Sequence, residues 1–379
     1  MRHALLLSGS LGAGHEVHAQ ACSWSLTSNG WSCETVDAMR LLGPRNGSAG
    51  EAVFRAMLAT PGVYDAFHFA ALRPGSRLAL LADAAARRQL VPRLQEHLDS
   101  RPADLAISVF ATAASAVSAL ADRYPAMSHV VLCTDVTPHR LWVHQHVDLY
   151  LVTSHAAAAA VRRYSPTAEV KVIPPPLRPG FHHPPGRDEA RAAFDVPVQD
   201  RTVLLMSGAW GLGPLAEAAA GLADAGVQVL VVAGRNARLE DKLRAAAQHR
   251  PRMHVFGYTQ EIPALMAAAD LVVTSSGDTC SEARAIGRPL LLLDVVQGHG
   301  RDNLQHELEL GDAGVTSARP ADVVRCALAA LDRAVAPNGT AASVNGAAAS
   351  ANGAKGAASA DAAAWEPAFA AALASIGLN

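Results

Sequence analysis

The chain has 379 residues, half of them hydrophobic, a formal charge of −2 and a pI near 6.8. That length exceeds one ordinary core and implies two domains. The near-neutral charge argues against a global basic field that would draw in nucleic acid, and no apolar run reaches membrane-spanning length. In chain order, short apolar runs alternate with helical patterns. Strands are expected at His3–Ser8, Ser32–Asp37, Leu105–Val109, His129–Cys133, Leu149–Thr153 and Val170–Ile173, with helices at His15–Thr27, Gly75–Ser100 and Thr112–Tyr124. The proline-rich stretch Ile173–Gly186 interrupts the alternation, because proline supports neither a helix interior nor a central strand. The pattern then restarts, with strands expected at Thr202–Ser207, Gln228–Ala233, Met253–Phe256, Leu271–Thr274 and Leu290–Asp294. Strands separated by helices imply parallel sheets with right-handed crossovers. From 335 to 363 the chain is Ala, Ser, Gly and Asn, the composition of a flexible tether; Trp365 to Leu378 reads as a short anchored helix. The scattered cysteines Cys22, Cys33, Cys133, Cys280 and Cys326 lack CxxC spacing, which argues for a reducing compartment and against a disulfide framework or a zinc site. The opening residues lack signal-peptide patterning, so a cytoplasmic protein is expected.

Chemistry-bearing residues gather where strands end. After the first strand comes Ser8-Gly-Ser-Leu-Gly12-Ala-Gly14-His15. A histidine opening the next helix faces the strand edge where α/β proteins bind ligands, and imidazole suits a general base. The spacing is not G-x-G-x-x-G, so a plain glycine turn with an N-terminal histidine reads equally well. After the fourth strand, Thr134, Asp135, His139 and Trp142 put an acid, an imidazole and an indole close together. They can orient an acceptor hydroxyl, or Asp135 can cap a turn while Trp142 fills the core. In the second half, Gly208, Gly211 and Gly213 form a flexible loop, Gly234-Arg235-Asn236 ends a strand, and Gly257-Tyr258 ends another. The segment Asp270–Pro289 is the most informative. A buried strand meets the tight turn Ser276-Gly277-Asp278-Thr279, then a helix carrying Glu282 in its first turns. Free N–H groups and the helix dipole suit a phosphate. The glutamate cannot bind phosphate, but its two acceptor oxygens suit a pair of ribose hydroxyls. The following stretch adds Gln297 and Asn303.

These segments together resemble the GT-B glycosyltransferases, in particular the branch of monogalactosyldiacylglycerol synthases, bacterial diacylglycerol glucosyltransferases and the lipid-II-forming N-acetylglucosaminyltransferase. The motifs specific to that branch are Gly12-Ala-Gly-His15, Thr134-Asp135 with His139 and Trp142, Pro176-Leu-Arg-Pro-Gly-Phe181 and Ala233-Gly-Arg-Asn236; Ser276–Ala283 with Gly287-Arg-Pro289 is the wider nucleotide signature. The resemblance implies an α/β fold of two Rossmann-like domains facing a central cleft. Residues 1–180 would bind the acceptor, 181–200 would link, and 201–334 would bind the UDP-sugar, followed by the tether 335–363 and a helix at 364–379.

The implied activity is inverting hexose transfer from a UDP-sugar to an acceptor hydroxyl, such as that of diacylglycerol. A soluble natural-product acceptor or a sugar-nucleotide epimerase are the alternatives. By resemblance, His15 and Asp135 would be catalytic, and His139 and Trp142 would meet the acceptor. Gly12, Gly14, Gly208, Gly211, Gly213, Arg235, Tyr258, Ser276, Gly277, Asp278, Thr279, Glu282, Gln297 and Asn303 would hold the UDP-sugar. No metal and no cofactor beyond this co-substrate is implied. Two departures stand out: Ser-Gly-Asp-Thr replaces the common Gly-Pro-Gly-Thr, setting Asp278 near a diphosphate, and His299-Gly300 replaces a Gln-Glu pair. Arg73, Arg77, Arg87, Arg88 and Arg93 lie along one helical stretch, a candidate face for anionic lipid or a solvated surface.

Overall fold

The computed structural model describes residues 1–9, 14–42, 76–296, 298–335 and 364–378. They form two compact units, the first holding Met1–Pro179 and the C-terminal helix, the second beginning at Gly180. In the first, β1 (His3–Ser8), β2 (Ser32–Asp37), β3 (Leu105–Ser108), β4 (Ser128–Leu132), β5 (Leu149–Val152) and β6 (Val170–Val172) make one parallel sheet ordered β2-β1-β3-β4-β5-β6. Helices α1 (Gly14–Ser28), α2 (Ala38–Leu41), α3 (Arg77–Ser100), α4 (Ala111–Ala119) and α5 (His155–Tyr164) accompany it. Serine hydroxyls start two of them: Ser76 accepts from the Ala79 N–H at 3.3 Å and Ser154 from Ala157 at 3.0 Å, satisfying amides that an open helix end leaves unpaired.

Because the sheet order reverses between β1 and β3, right-handed crossovers put α1 on one face and the later helices on the other. Leu5, Leu7 and Ala106 pack on Leu90, Leu94 and Leu98 of α3 and Val117 of α4, while Tyr150 and Val152 pack on Ala157 and Val161 of α5. The opposite face (Leu6, Ile107, Val130, Leu132, Leu149, Leu151) meets Ala19, Cys22 and Leu26 of α1. One crossover helix cannot cover a face that wide. The C-terminal helix, Trp365–Ala374, completes it: Trp365 and Phe369 are 0% and 1% exposed, stacked at 4.8 Å between centroids within that same cluster. Aromatic side chains of this kind bury roughly 150–250 Å² each, so the helix belongs to the first unit's core.

The second unit repeats the plan. Here β7 (Thr202–Met206), β8 (Gln228–Val232), β9 (Met253–Phe256), β10 (Leu271–Ser275), β11 (Leu290–Leu293) and β12 (Ala313–Thr316) are ordered β12-β11-β10-β7-β8-β9, all parallel. Its helices are α6 (Arg187–Ala193), α7 (Leu215–Asp224), α8 (Ala237–Ala247), α9 (Ile262–Ala268), α10 (Asp278–Ala285), α11 (His299–Glu309), which belongs to this unit from Asn303 onward, and α12 (Pro320–Val335). β7, β8 and β10 are buried throughout, as strands covered on both faces must be.

The expected strands all form, within one residue of the bounds read from the sequence. Three expectations are corrected. Residues 181–200 are not a linker: they carry α6 and pack into the second unit. Arg191 is fully buried and donates to the carbonyls of Ala268 (2.9 Å), Val198 (2.6 Å) and Asp200 (2.8 Å) and to Asp270 (2.8 Å). Asp270 also accepts from Arg187 (2.8 Å) and the Thr202 N–H (2.9 Å). A guanidinium this buried is tolerable only because its donors are met. The helix expected to run to Tyr124 ends at Ala119. The strand β12 was not expected, because Ala-Gly-Val-Thr offers no apolar run. Gly12, Gln297, Arg73 and residues 336–363 of the expected tether lie outside the described residues.

Candidate active site

In the first unit the site lies where the strand order reverses, at the C-terminal ends of β1 and β3. Leu7 pairs with Ser108 and Ser108 with Val131, so Val109, Thr134 and the loop after β1 reach one edge. His15, in the first turn of α1, sits there with Gly14. Its Nδ1 is 2.6 Å from the Val109 carbonyl oxygen. A carbonyl only accepts, so Nδ1 carries the proton, and in the neutral ring Nε2 is then the basic nitrogen, the form a general base requires. Thr134 Oγ1 lies 3.4 Å from the same nitrogen, and the Phe110 ring meets the imidazole edge-on at 5.2 Å. Val109 and Phe110 had no sequence signal as site residues; their part comes from strand register.

Asp135 follows on the same edge. Its Oδ2 accepts the Trp142 indole N–H at 2.8 Å and lies 3.5 Å from His139 Nε2. His139 Nδ1 accepts from the Leu141 N–H at 3.2 Å, opening the 3-10 turn Arg140–Trp142. Trp142 is 2% exposed: the indole packs in the core, and its N–H serves the carboxylate. Deeper in the unit, His129 is wedged between Ser108 Oγ (3.1 Å) and the His146 carbonyl (3.3 Å), and burial pushes its pKa down to about 3. Burial, helped by the charge of Asp135, raises the Cys133 thiol well above its usual range.

In the second unit the order reverses between β7 and β10. Met206 pairs with Val232 and Val232 with Phe256, while Val273 pairs with Leu205. The turns after β7, β8, β9 and β10 therefore line one edge. Gly208, Gly211 and Gly213 all have positive φ. At Gly211 a Cβ would crowd Leu239 and lie 2.9 Å from the Ala233 oxygen; at Gly234, φ 63°, it would lie 2.5 Å from the Ala209 oxygen. The β7 and β8 turns are thus pressed together as main chain against main chain. The Arg235 N–H donates to Ala209 O at 2.7 Å, and the Asn236 amide donates to Trp210 O at 3.0 Å while its oxygen caps α8. The Arg235 guanidinium lies 4.6 Å over the Tyr258 ring, a flat half-exposed ledge.

At the β10–α10 junction, Gly277 precedes Asp278 and Thr279 in the first turn of α10. The Ser276 carbonyl accepts from the Asn303 amide at 3.4 Å. Arg284 ties α10 down through Glu307 at 2.6 Å and Asp312 at 2.7 Å. Burial alone would lower its pKa, but these two carboxylates outweigh burial and raise it. Glu282 is 2% exposed, so a hydroxyl clamp there requires at least one oxygen to be uncovered. The structure thus brings Gly208 to Gly213, Arg235, Tyr258, Ser276 to Thr279, Glu282 and Asn303 to one edge of the second unit. Gly14, His15, Asp135, His139 and Trp142 gather at one edge of the first. Among the described residues, no group of three or more His, Cys, Asp or Glu side chains is arranged to hold a metal ion.

Residues 78–176 match the family described as Monogalactosyldiacylglycerol (MGDG) synthase, and residues 208–359 match the Glycosyltransferase family 28 C-terminal domain. The chain is 31% identical over 198 residues to a processive diacylglycerol beta-glucosyltransferase of Bacillus pumilus (strain SAFR-032), covering 50% of this chain and 51% of that protein. It is 30% identical over 215 residues to a probable monogalactosyldiacylglycerol synthase 2, chloroplastic, of Oryza sativa subsp. indica, covering 53% and 45%. The chain spans about half the length of the curated relatives it matches. Among solved structures, Arabidopsis thaliana UGT89C1 complexed with UDP-L-rhamnose is similar over 88% of this chain and 91% of that one, with a TM-score of 0.59 and 14% identity, a likeness of fold. The resemblance to the glycolipid-forming GT-B group rests on these matches, and each of the two units carries its own part of it.

Proposed function

We propose that the protein transfers a hexose from a UDP-sugar to a hydroxyl of a membrane lipid such as diacylglycerol, inverting the anomeric carbon. The observation that carries the reading is His15, whose proton is fixed on Nδ1 by the Val109 carbonyl at the switch point of the first sheet. Nε2 removes the proton of the attacking hydroxyl, and Asp135 on the same edge orients that hydroxyl. In-line attack breaks the bond from the anomeric carbon to UDP, and the pair of electrons leaves with the diphosphate. The turn Ser276 to Thr279 at the start of α10, with Gly208, Gly211 and Gly213, meets that charge with main-chain N–H groups and the helix dipole. The ledge of Arg235 and Tyr258 borders the base, and Glu282 takes the ribose once an oxygen is uncovered. Transfer in this scheme uses no metal, so chelation with EDTA leaves the rate unchanged.

The lipid acceptor is favoured by the two relatives named for diacylglycerol and monogalactosyldiacylglycerol chemistry. Among the described residues no helix is long and apolar enough to cross a membrane. Contact with the bilayer is instead assigned to the start of α3, where Leu78, Leu80 and Leu81 are 66%, 41% and 68% exposed beside the exposed Arg77 and Arg88. Apolar side chains flanked by arginine suit an anionic interface, and we place the enzyme at the cytoplasmic face of such a membrane. The test is to incubate the full chain with radiolabelled UDP-sugars and vesicles containing diacylglycerol. Label entering the organic phase is the expected result. Donor consumption that yields only aqueous products, from every sugar tried, would overturn the lipid reading.

A further inference from the structure

We infer that His139 and Trp142 are positioning residues that hold the Asp135 carboxylate, and not contacts for the acceptor; this rests on the transferase reading above. Both donors converge on one oxygen, Oδ2, the indole at 2.8 Å and the imidazole at 3.5 Å. Each donor is itself fixed. Trp142 is 2% exposed in a cluster with Val131, Val143, Tyr150 and Val152, which leaves no ring face for a lipid. Its main-chain N–H donates to His139 O at 3.0 Å, and the Val143 main-chain N–H donates to Arg140 O at 3.2 Å. That turn begins where His139 Nδ1 accepts from the Leu141 N–H, so the imidazole proton sits on Nε2, on the side of Asp135. The 3-10 turn is therefore a bracket that hydrogen-bonds the indole N–H to one carboxylate oxygen and sets the imidazole Nε2 in charge contact with the same oxygen. A carboxylate anchored through one oxygen keeps a fixed direction for the other, as an acceptor-orienting group requires.

Three full-length variants separate positioning from acceptor contact and from plain stability. Trp142→Phe keeps most of the core volume and removes the N–H. The amide nitrogen of a glutamine reaches the place of His139 Nε2, and the carbonyl oxygen of an asparagine the place of Nδ1. His139→Gln thus keeps the donor to Asp135, and His139→Asn keeps only the turn. Steady-state transfer to diacylglycerol in mixed micelles is measured beside the melting temperature. Trp142→Phe should lower kcat about ten-fold or more with acceptor KM unchanged, the loss of one charge-assisted hydrogen bond. His139→Asn should shift kcat in the same direction by less, and His139→Gln should stay near wild type. A rise in acceptor KM with kcat retained, or equal losses in both His139 variants tracking the melting temperature, would overturn the inference. A wild-type chain that moves no hexose to any lipid would instead sink the functional reading and this inference with it.

Discussion

In the first unit the candidate site turns on side chains whose protons are assigned by neighbouring groups, whereas the second adds to its side chains loops of main chain that glycines leave uncovered. His15 takes its tautomer from the Val109 carbonyl, and His139 takes its own from the Leu141 amide. Around Gly211 and Gly234, by contrast, two turns touch through backbone, and the side chain that joins them, Asn236, binds a carbonyl. The difference follows from the work each edge is suited to. Moving a proton needs one nitrogen in one protonation state at one place. Receiving a diphosphate needs many weak donors and close approach, which side chains obstruct.

This contrast can be broken from either side. On the donor side the largest effect is expected from Gly234→Ala. A Cβ 2.5 Å from Ala209 O, at φ 63°, forces the β7 and β8 turns apart. Overpacking of this kind costs about 1–3 kcal/mol; where the strain is relieved by displacing a turn that carries the donor, UDP affinity falls by up to about a hundred-fold. Calorimetric titration with UDP checks it, and unchanged affinity would remove the β8 turn from the donor site. A smaller effect concerns acid. His129 is neutral in the fold, with its pKa near 3 against an ordinary 6.5. Above pH 6.5 it costs nothing; as pH falls through that value the unfolded chain takes up the proton first, and stability is lost progressively down to about pH 3. By pH 5 the loss from this group is about 2 kcal/mol. Urea unfolding at pH 7 and pH 5 should show it in wild type and show less of it in His129→Leu. Equal pH dependence in both chains would mean that burial of this imidazole does not govern the first unit's acid sensitivity.

How much of this was legible in sequence depends on how local the cause is. The strands were readable because unbroken apolar runs such as Leu204-Leu205 and Val229–Val232 are what a strand buried on both faces requires. β12 was not, since Ala-Gly-Val-Thr has no such run and is held by register with Leu290–Leu293. Prolines made 181–200 look like a linker, but Arg191 finds its partners at Ala268 and Asp270, about eighty residues on. The same limit applies at the site. His15 and the Ser276 to Glu282 turn announce themselves by glycine spacing and helix starts. The Val109 carbonyl that assigns the His15 proton carries no residue-type signature, because any residue has a carbonyl. The residues around Trp142 favoured a core reading and only the resemblance made it a ligand contact; the structure shows a core residue whose N–H has a partner seven positions earlier.

The division of labour between the two edges is tested most directly by His15→Ala, with UDP affinity and hexose transfer measured on the same preparation. The account predicts that UDP binds as in wild type while transfer to diacylglycerol falls by roughly 10²–10⁴, the usual contribution of a general base. Transfer that continues at the wild-type rate would contradict it.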